Sequence, residues 1–403
     1  LPRGWEVKKL GEIGEIVTGL TPSKNNLDFY GKDYPFFKPS DFEQGYFLES
    51  AVDNLSKLGF EKAKQLPSKT ILVVCIGSLG KVALTRVIGS CNQQINAIIS
   101  NKNIIPEYIY YYCISSKFQS ILFLKAPQTT LPILNKTEFS KLEIMYPKNV
   151  KEQERIVGIL DESFANIDES IKNLEQDLLN LDELMQSALQ KAFNPLKDNA
   201  KENYQLPQGW EWKSLNSVVL KTSNINPCNF NEDKFYYIDI SSIDNKNFCI
   251  YNIKNIYKQD APSRARKDVL YGDVLYATTR PNLKNIAINY YNFNNIVAST
   301  GFCILRANEK LNNKYLFFFL LSDIFDNYIN KYIRGTQYPS VSDKDIFNSK
   351  IPLPPLQEQE QIASYLDELS LNIKDLKQNY QAQIKNLQEL KKSLLDKAFK
   401  GRL

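Results

Sequence analysis

Glu152-Gln153-Glu154-Arg155-Ile156 returns as Glu358-Gln359-Glu360-Gln361-Ile362, 206 positions later. At the same offset Leu160-Asp161-Glu162 matches Leu366-Asp367-Glu368, and Lys191-Ala192-Phe193 matches Lys397-Ala398-Phe399. Working outward, Leu1-Pro2-Arg3-Gly4-Trp5 returns as Leu206-Pro207-Gln208-Gly209-Trp210, offset by 205. Chance does not repeat three anchors at one spacing. The 403-residue chain is therefore two copies of one unit, each a variable block followed by a shorter, similar block.

The similar blocks read as helices. In the first, Leu160, Phe164, Ile167, Ile171, Leu174, Leu178, Leu181, Met185, Ala188 and Ala192 alternate by four and three, the spacing of a coiled-coil seam. In the second, Leu366, Leu369, Ile373, Leu376, Tyr380, Leu387, Leu390 and Leu394 do the same, with a break expected near Gln383. The stretch from Glu152 to Phe193 predicts a rod of about 63 Å at about 1.5 Å per residue. Asn194-Pro195 is expected to stop the first rod and Gly401 the second. Two matched stripes in a duplicated chain favour an intramolecular antiparallel coiled coil.

The variable blocks read as mixed α/β. Thr70 to Ile76, Ile95 to Ile99, Val274 to Thr278 and Phe302 to Leu305 are strand-like. Pro106 to Ser115 and Asn313 to Ile329 are helix-like and rich in aromatics. The predicted fold class is α+β, with a pseudo-two-fold internal repeat. Its parts are a block at 1–150, a central helix at 151–195, a linker at 196–205, a block at 206–356 and a C-terminal helix at 357–403. The chain opens on Leu1 rather than methionine, so a few preceding residues are expected.

Composition excludes several functions. With no histidine, Ser-His-Asp and Cys-His catalysis and imidazole-ligated zinc are ruled out. Six cysteines at 75, 91, 113, 228, 249 and 303 form no C-x2-C pair, so reduced, mostly buried thiols in a cytoplasmic protein are expected. No run of 18 apolar residues implies a membrane span. Asn/Asp-Pro-Pro-aromatic and G-x-G-x-x-G motifs are missing, and Gly77-Ser78-Leu79-Gly80-Lys81 lacks the spacing of a phosphate loop. The acidic pairs Asp161/Glu162 and Asp367/Glu368 read as solvated helix surface. No catalysis is expected of this chain. Charge is divided: net −7 over 152–193, −1 over 358–399 and +5 overall, leaving +13 on the rest. Basic blocks on acidic-to-neutral rods suit a polyanion.

Taken in order, these phrases resemble the specificity subunit of a Type I restriction-modification system. The resemblance spans the chain. It rests on L-P-x-G-W at 1–5 and 206–210, Pro352-Leu353-Pro354-Pro355-Leu356 leading into Glu358-Gln359, the leaner Lys151-Glu152-Gln153-Glu154-Arg155-Ile156, and Ala398-Phe399-Lys400-Gly401-Arg402-Leu403. Inside the blocks, Gly77-Ser78-Leu79-Gly80-Lys81, Asn92-Gln93-Gln94, Thr278-Thr279-Arg280-Pro281, Ala298-Ser299-Thr300-Gly301-Phe302 and Gly335-Thr336-Gln337-Tyr338-Pro339 resemble family turns.

The resemblance implies two target recognition domains, each reading half of an asymmetric bipartite duplex DNA site, with rods setting an unread spacer. It implies two modification subunits that bind S-adenosylmethionine and methylate adenine N6, and restriction/translocase subunits using ATP and Mg. No cofactor or metal is expected on this chain, nor a membrane. Direct reading takes Arg or Lys for guanine and Asn or Gln for adenine. The candidates are Lys81, Arg86, Asn92, Gln93, Gln94 and Gln128 in the first block, and Arg280, Asn282, Lys284 and Gln337 in the second. Arg264 and Arg266 suit phosphates better than bases. Gly77, Ser78, Gly80, Thr129, Thr279, Gly335 and Thr336 are expected to position phosphates or loops. Two competitors remain open: the recognition fragment of a fused restriction-methylation enzyme, and a coiled-coil scaffold that holds proteins.

Overall fold

A computed structural model describes residues 2–126, 132–193 and 206–403. The chain divides into two units, Leu1–Glu175 with Gln381–Leu403, and Gln176–Tyr380.

In the first unit, a five-stranded sheet runs in the order Gly14–Thr18, Ile95–Ser100, Ile71–Val74, Val82–Thr85, Phe47–Leu48. Its central strand Ile71–Val74 is buried at every position, so it reads as a continuous apolar run rather than an alternation. A three-stranded sheet follows the order Asn54–Leu55, Tyr30–Phe37, Ser90–Cys91, its last pair parallel. Trp5–Lys9 pairs antiparallel with Glu143–Pro147.

The second unit repeats this plan with a different sequence. Val219–Leu220, Phe302–Ala307, Val274–Ala277 and Ile286–Ile288 make one sheet in that order. Lys254–Tyr257, Lys234–Ile238, Ile296–Ser299 and Ala265–Asp268 make another, and its Lys234–Ile238/Ile296–Ser299 pair is again parallel. Glu211–Ser214 pairs antiparallel with Lys350–Leu353. The four predicted strands are all present. Pro106–Ile114 is a helix as expected, whereas the expected Asn313–Ile329 helix is two, Asn313–Leu320 and Asp323–Ile329. The break comes at Ser322, whose Oγ donates to the Phe319 carbonyl at 2.6 Å and accepts from the Phe325 N–H, capping a new helix.

The two long helices are Val150–Phe193 and Leu356–Ala398. The expected stop at Asn194-Pro195 lies outside the described residues. Pairing is antiparallel in each unit. In the first, Arg155 donates to the Leu403 carbonyl at 3.0 Å while Lys391 pairs with Asp168. In the second, Lys377 pairs with Asp182, and Leu189 packs in one apolar core with Ala363 and Leu366.

All ten predicted seam positions of the central helix are buried or half-buried. The C-terminal seam needs correction. Leu376 and Leu390 are exposed, at 40% and 45%. The sheltered line instead runs Ile373, Lys377, Tyr380, Ile384, Leu387, Lys391, Leu394, without the expected break near Gln383. A count of apolar residues skips the two lysines, whose stems lie along the seam while their ammonium groups reach aspartates. A polar residue at a seam position fixes register and orientation at a cost in stability. Replacing both Lys377 and Lys391 by leucine is thus expected to raise the unfolding free energy by about 1–3 kcal/mol, measured by urea denaturation.

The cores tie blocks to helices. Phe399, at the end of the C-terminal helix, packs edge-on against Tyr108 and Tyr112 at 5.5 and 5.1 Å. Phe193, at the end of the central helix, packs against Tyr315 and Phe319 at 5.0 and 5.7 Å. Both phenylalanines are buried, each contributing about 1.5–3 kcal/mol. The aromatic-rich helix is core as expected: Tyr108, Tyr111 and Tyr112 are buried, and the Tyr111 hydroxyl donates to Asp161 at 2.5 Å. Asp367 accepts from Lys314 at 2.5 Å. These two carboxylates therefore anchor helix to block and are more than solvated surface.

Candidate nucleic-acid interface

In the first unit, Ile71–Val74 leads into the turn through Gly77 and Gly80, both at positive φ, +78° and +89°. A Cβ on Gly80 would lie 2.3 Å from Gln119 Oε1, and the Gln119 amide donates to the Gly80 carbonyl at 2.9 Å. Only glycine fits this crossing. Gly77 N–H donates to the Pro132 carbonyl, and Cys75 N–H to the Gln94 carbonyl at 2.8 Å. These bonds bring the glycine turn and the Asn92–Gln94 segment to one edge. Ser78 and Gln93 are exposed there, Gln93 accepting from Thr21 Oγ1 at 2.5 Å. Asn92 is buried; it donates to Gln94 Oε1 at 2.8 Å and accepts from the Gln94 N–H.

Lys81 and Arg86 face elsewhere. Both line a cleft of about 970 Å³ whose other walls include Phe42, Tyr46, Tyr110 and Phe164. Lys81 pairs with Glu43 at 2.5 Å and holds that carboxyl below its usual range. Arg86 stacks 3.8 Å from the Phe47 ring centre and pairs with Glu49 at 2.6 Å. Gln128 and Thr129 lie outside the described residues.

The second unit assembles an edge of the same kind from three loops. Thr278 N–H donates to the Gly301 carbonyl at 2.8 Å, and Thr300 N–H to the Arg264 carbonyl at 2.8 Å. Arg280 N–H donates to the Pro339 carbonyl at 2.7 Å, and Thr279 bridges to Ser340. Arg264, Arg280, Asn282, Gly335, Thr336 and Gln337 are exposed on this edge. Arg266 sits at a bulge between Ala265 and Lys267, its guanidinium donating to the Ala265 carbonyl. Lys284 departs from the group. Its ammonium pairs with Asp326 and lines a separate cleft of about 280 Å³ with Phe317 and Lys374. Burial pushes the Asp326 carboxyl up, and Lys284 opposes that shift. Arg264, Arg266 and Arg280 have no carboxylate within ion-pair distance among the described residues.

Sequence reasoning missed Gln153 and Gln359, which lie in the very phrases that revealed the repeat. Both are fully buried. Gln153 accepts from Ile105 N–H at 3.0 Å and donates to the Asn103 and Pro147 carbonyls at 3.0 and 2.8 Å. Gln359 accepts from Asn312 N–H at 2.9 Å and donates to the Lys310 and Pro354 carbonyls at 3.0 and 2.9 Å. Each clamps a helix start to its block. A neutral amide kept at the same place in both copies, amid glutamates, was the available signal.

Buried Cys75 and Cys91 have their thiols pushed up to about 12 by desolvation, and Cys113 and Cys303 are buried too. No metal-holding cluster occurs among the described residues. No helix among them is long and apolar enough to cross a membrane.

A duplicated frame that keeps its clamps and varies its loop edges is the plan of a two-part recognition protein. The model of the Type I restriction modification DNA specificity domain matches residues 2–180 and 207–386, and the chain belongs to that family. The specificity subunit of the Haemophilus influenzae Type I restriction enzyme HindI is 37% identical over 174 residues, 41% of this chain and 38% of that protein. The MjaIX specificity subunit of Methanocaldococcus jannaschii is 24% identical over 418 residues, 100% of this chain and 94% of that protein. Among solved structures, a chain of a type I R-M system superposes with a TM-score of 0.77 at 22% identity, covering 100% of this chain and 99% of that one. The HsdS subunit from Thermoanaerobacter tengcongensis superposes at 0.64 with 23% identity, covering 100% and 98%.

Proposed function

We propose that this chain reads an asymmetric bipartite duplex DNA site, with the blocks at 1–150 and 206–356 each addressing one half. Two modification subunits carry S-adenosylmethionine and methylate adenine N6. Restriction/translocase subunits bring ATP and Mg, and the complex works in the cytoplasm. The observation that carries this reading is the pair of loop edges, alike in backbone plan and different in side chains. Like frames with unlike edges suit unlike half-sites. By residue type Arg264 and Arg266 suit phosphates, and Arg280, Asn282, Gln337 and Gln93 suit bases; Gln94, whose amide is held by Asn92 and the Ile76 carbonyl, would have to release one of them to do so. Ser78, Thr279 and Thr336 join the turn glycines in positioning the backbone. Lys81, Arg86 and Lys284 would have to leave their carboxylates to reach DNA, and Asn92 acts by shaping Gln94.

The complex of this chain with its modification subunits is expected to bind duplex DNA with an affinity that falls linearly in log–log against salt, by about 0.9 per neutralised phosphate. Titration at four salt concentrations checks this, and flat, sequence-indifferent binding would point to a protein scaffold. Inserting one matched heptad into both long helices is expected to widen the unread spacer by about three base pairs, from about 1.5 Å per residue and 3.4 Å per base pair. Methylome sequencing reads the spacer directly; an unchanged one would overturn the ruler role.

A further inference from the structure

We infer that Tyr338 is a positioning residue that holds the Arg280 guanidinium ready to read a guanine. This deepens the recognition reading and rests on it.

Tyr338 sits at the tip of a hairpin closed by Arg334 and Ser340, each donating its N–H to the other's carbonyl at 2.9 Å. Gly335 opens the tip at φ +86°, where a Cβ would meet the Tyr338 carbonyl at 2.9 Å. The tip is thus a defined turn and not a loose loop. It nonetheless leaves Tyr338 75% exposed, a large ring that no core holds.

Arg280 faces it from the neighbouring loop. Its backbone is left-handed, φ +51° and ψ +55°, and so is that of Lys284 at φ +50°. Non-glycine residues keep such conformations only where their surroundings enforce them, and they cluster at functional sites. Here Arg280 N–H is bound to Pro339 O, Pro281 is buried, and the Leu283 and Lys284 N–H groups close the turn at 2.9 Å each. The Arg280 guanidinium carbon lies 5.7 Å from the Tyr338 ring centre.

Two features then act together. The backbone of Arg280 is fixed, but a long side chain loses much rotamer freedom when it binds. Its cation–π contact with the Tyr338 ring removes part of that loss in advance without using any of the five N–H donors in an ion pair. A preorganised, unpaired guanidinium is what bidentate reading of guanine O6 and N7 requires. Arg86 illustrates the other case: it stacks closely on the Phe47 ring, yet Glu49 takes one of its N–H groups in an ion pair.

The test selects duplexes from a randomised library with the full chain in complex with its modification subunits. Wild type is compared with Arg280→Ala, Arg280→Lys, Tyr338→Ala and Tyr338→Phe. Wild type is expected to select a motif containing one guanine whose preference drops about tenfold or more in both Arg280 variants. Tyr338→Ala should lower the preference at that same position by about two- to fivefold and leave the other positions intact, and Tyr338→Phe should restore it. If Arg280→Ala relaxes the guanine while Tyr338→Ala does not, or if Tyr338→Ala weakens every position alike, the positioning role fails and the recognition reading survives. If wild type selects no motif, the recognition reading itself fails and this inference with it.

Discussion

Replacing Gln359 by alanine is expected to lower the unfolding free energy by about 2–4 kcal/mol, measured by urea denaturation of the full chain. The variant leaves three backbone groups without a partner: the Asn312 N–H and the carbonyls of Lys310 and Pro354. An unsatisfied buried group costs about 1–3 kcal/mol; the Pro354 bond is buried, while water can partly serve the half-buried Asn312 and Lys310 groups, which reduces the total. Gln359→Glu keeps the acceptor but turns a carboxylate oxygen toward two carbonyls, so it should rescue little. Gln153→Ala should behave alike, since its three bonds repeat those of Gln359. Near-neutral behaviour of both variants would show that the clamps are not what fastens the blocks to the helices.

A comparable loss is expected from Arg306→Met. Arg306 grips Asp273 bidentately, Nε to Oδ1 at 2.9 Å and Nη2 to Oδ2 at 2.8 Å. Asp273 is 1% exposed and also accepts the Leu270 N–H at 2.8 Å. Removing the guanidinium strands a buried carboxylate, for a cost of about 3–5 kcal/mol. Pairing Arg306→Met with Asp273→Leu should recover much of it, because the stranded charge is then gone. Guanidinium denaturation of the single and double variants measures both. The exposed Arg86–Glu49 pair, with side chains 54% and 58% accessible, is the contrast, worth about 0–1 kcal/mol. A single variant no more harmful than the loss of that surface pair would overturn the argument.

The sequence reveals the frame well because repetition and heptads are local signals. The offset of Glu152-Gln153 to Glu358-Gln359 identified the duplication, and all ten seam residues of the central helix are sheltered as expected. The reading failed where chemistry and pattern part. Lys377 and Lys391 lie on the seam although a count of apolar residues passes them over. Ser322 interrupts an aromatic run that looks continuous, because one hydroxyl caps a new helix. The strand order could not be read, since it depends on pairings such as Lys234–Ile238 with Ile296–Ser299, far apart in the chain. At the candidate interface, residue type proposes Arg280 and Lys284 alike, although Lys284, four residues on, pairs with Asp326. That distinction arises only from which carboxylate folding brings near.

The phenylalanines that end the long helices have a consequence for exchanging blocks. Phe399 is keyed to Tyr108 and Tyr112 in the first unit, and Phe193 to Tyr315 and Phe319 in the second. Each block therefore docks against a helix end encoded in the other copy or before its own start. The loop edges can change without touching these contacts, but any block exchanged into this frame must bring an aromatic helix that accepts a phenylalanine it does not itself carry. A hybrid chain whose exchanged block lacks the tyrosines or phenylalanines at these positions should fail at the docking step, whatever its loops carry.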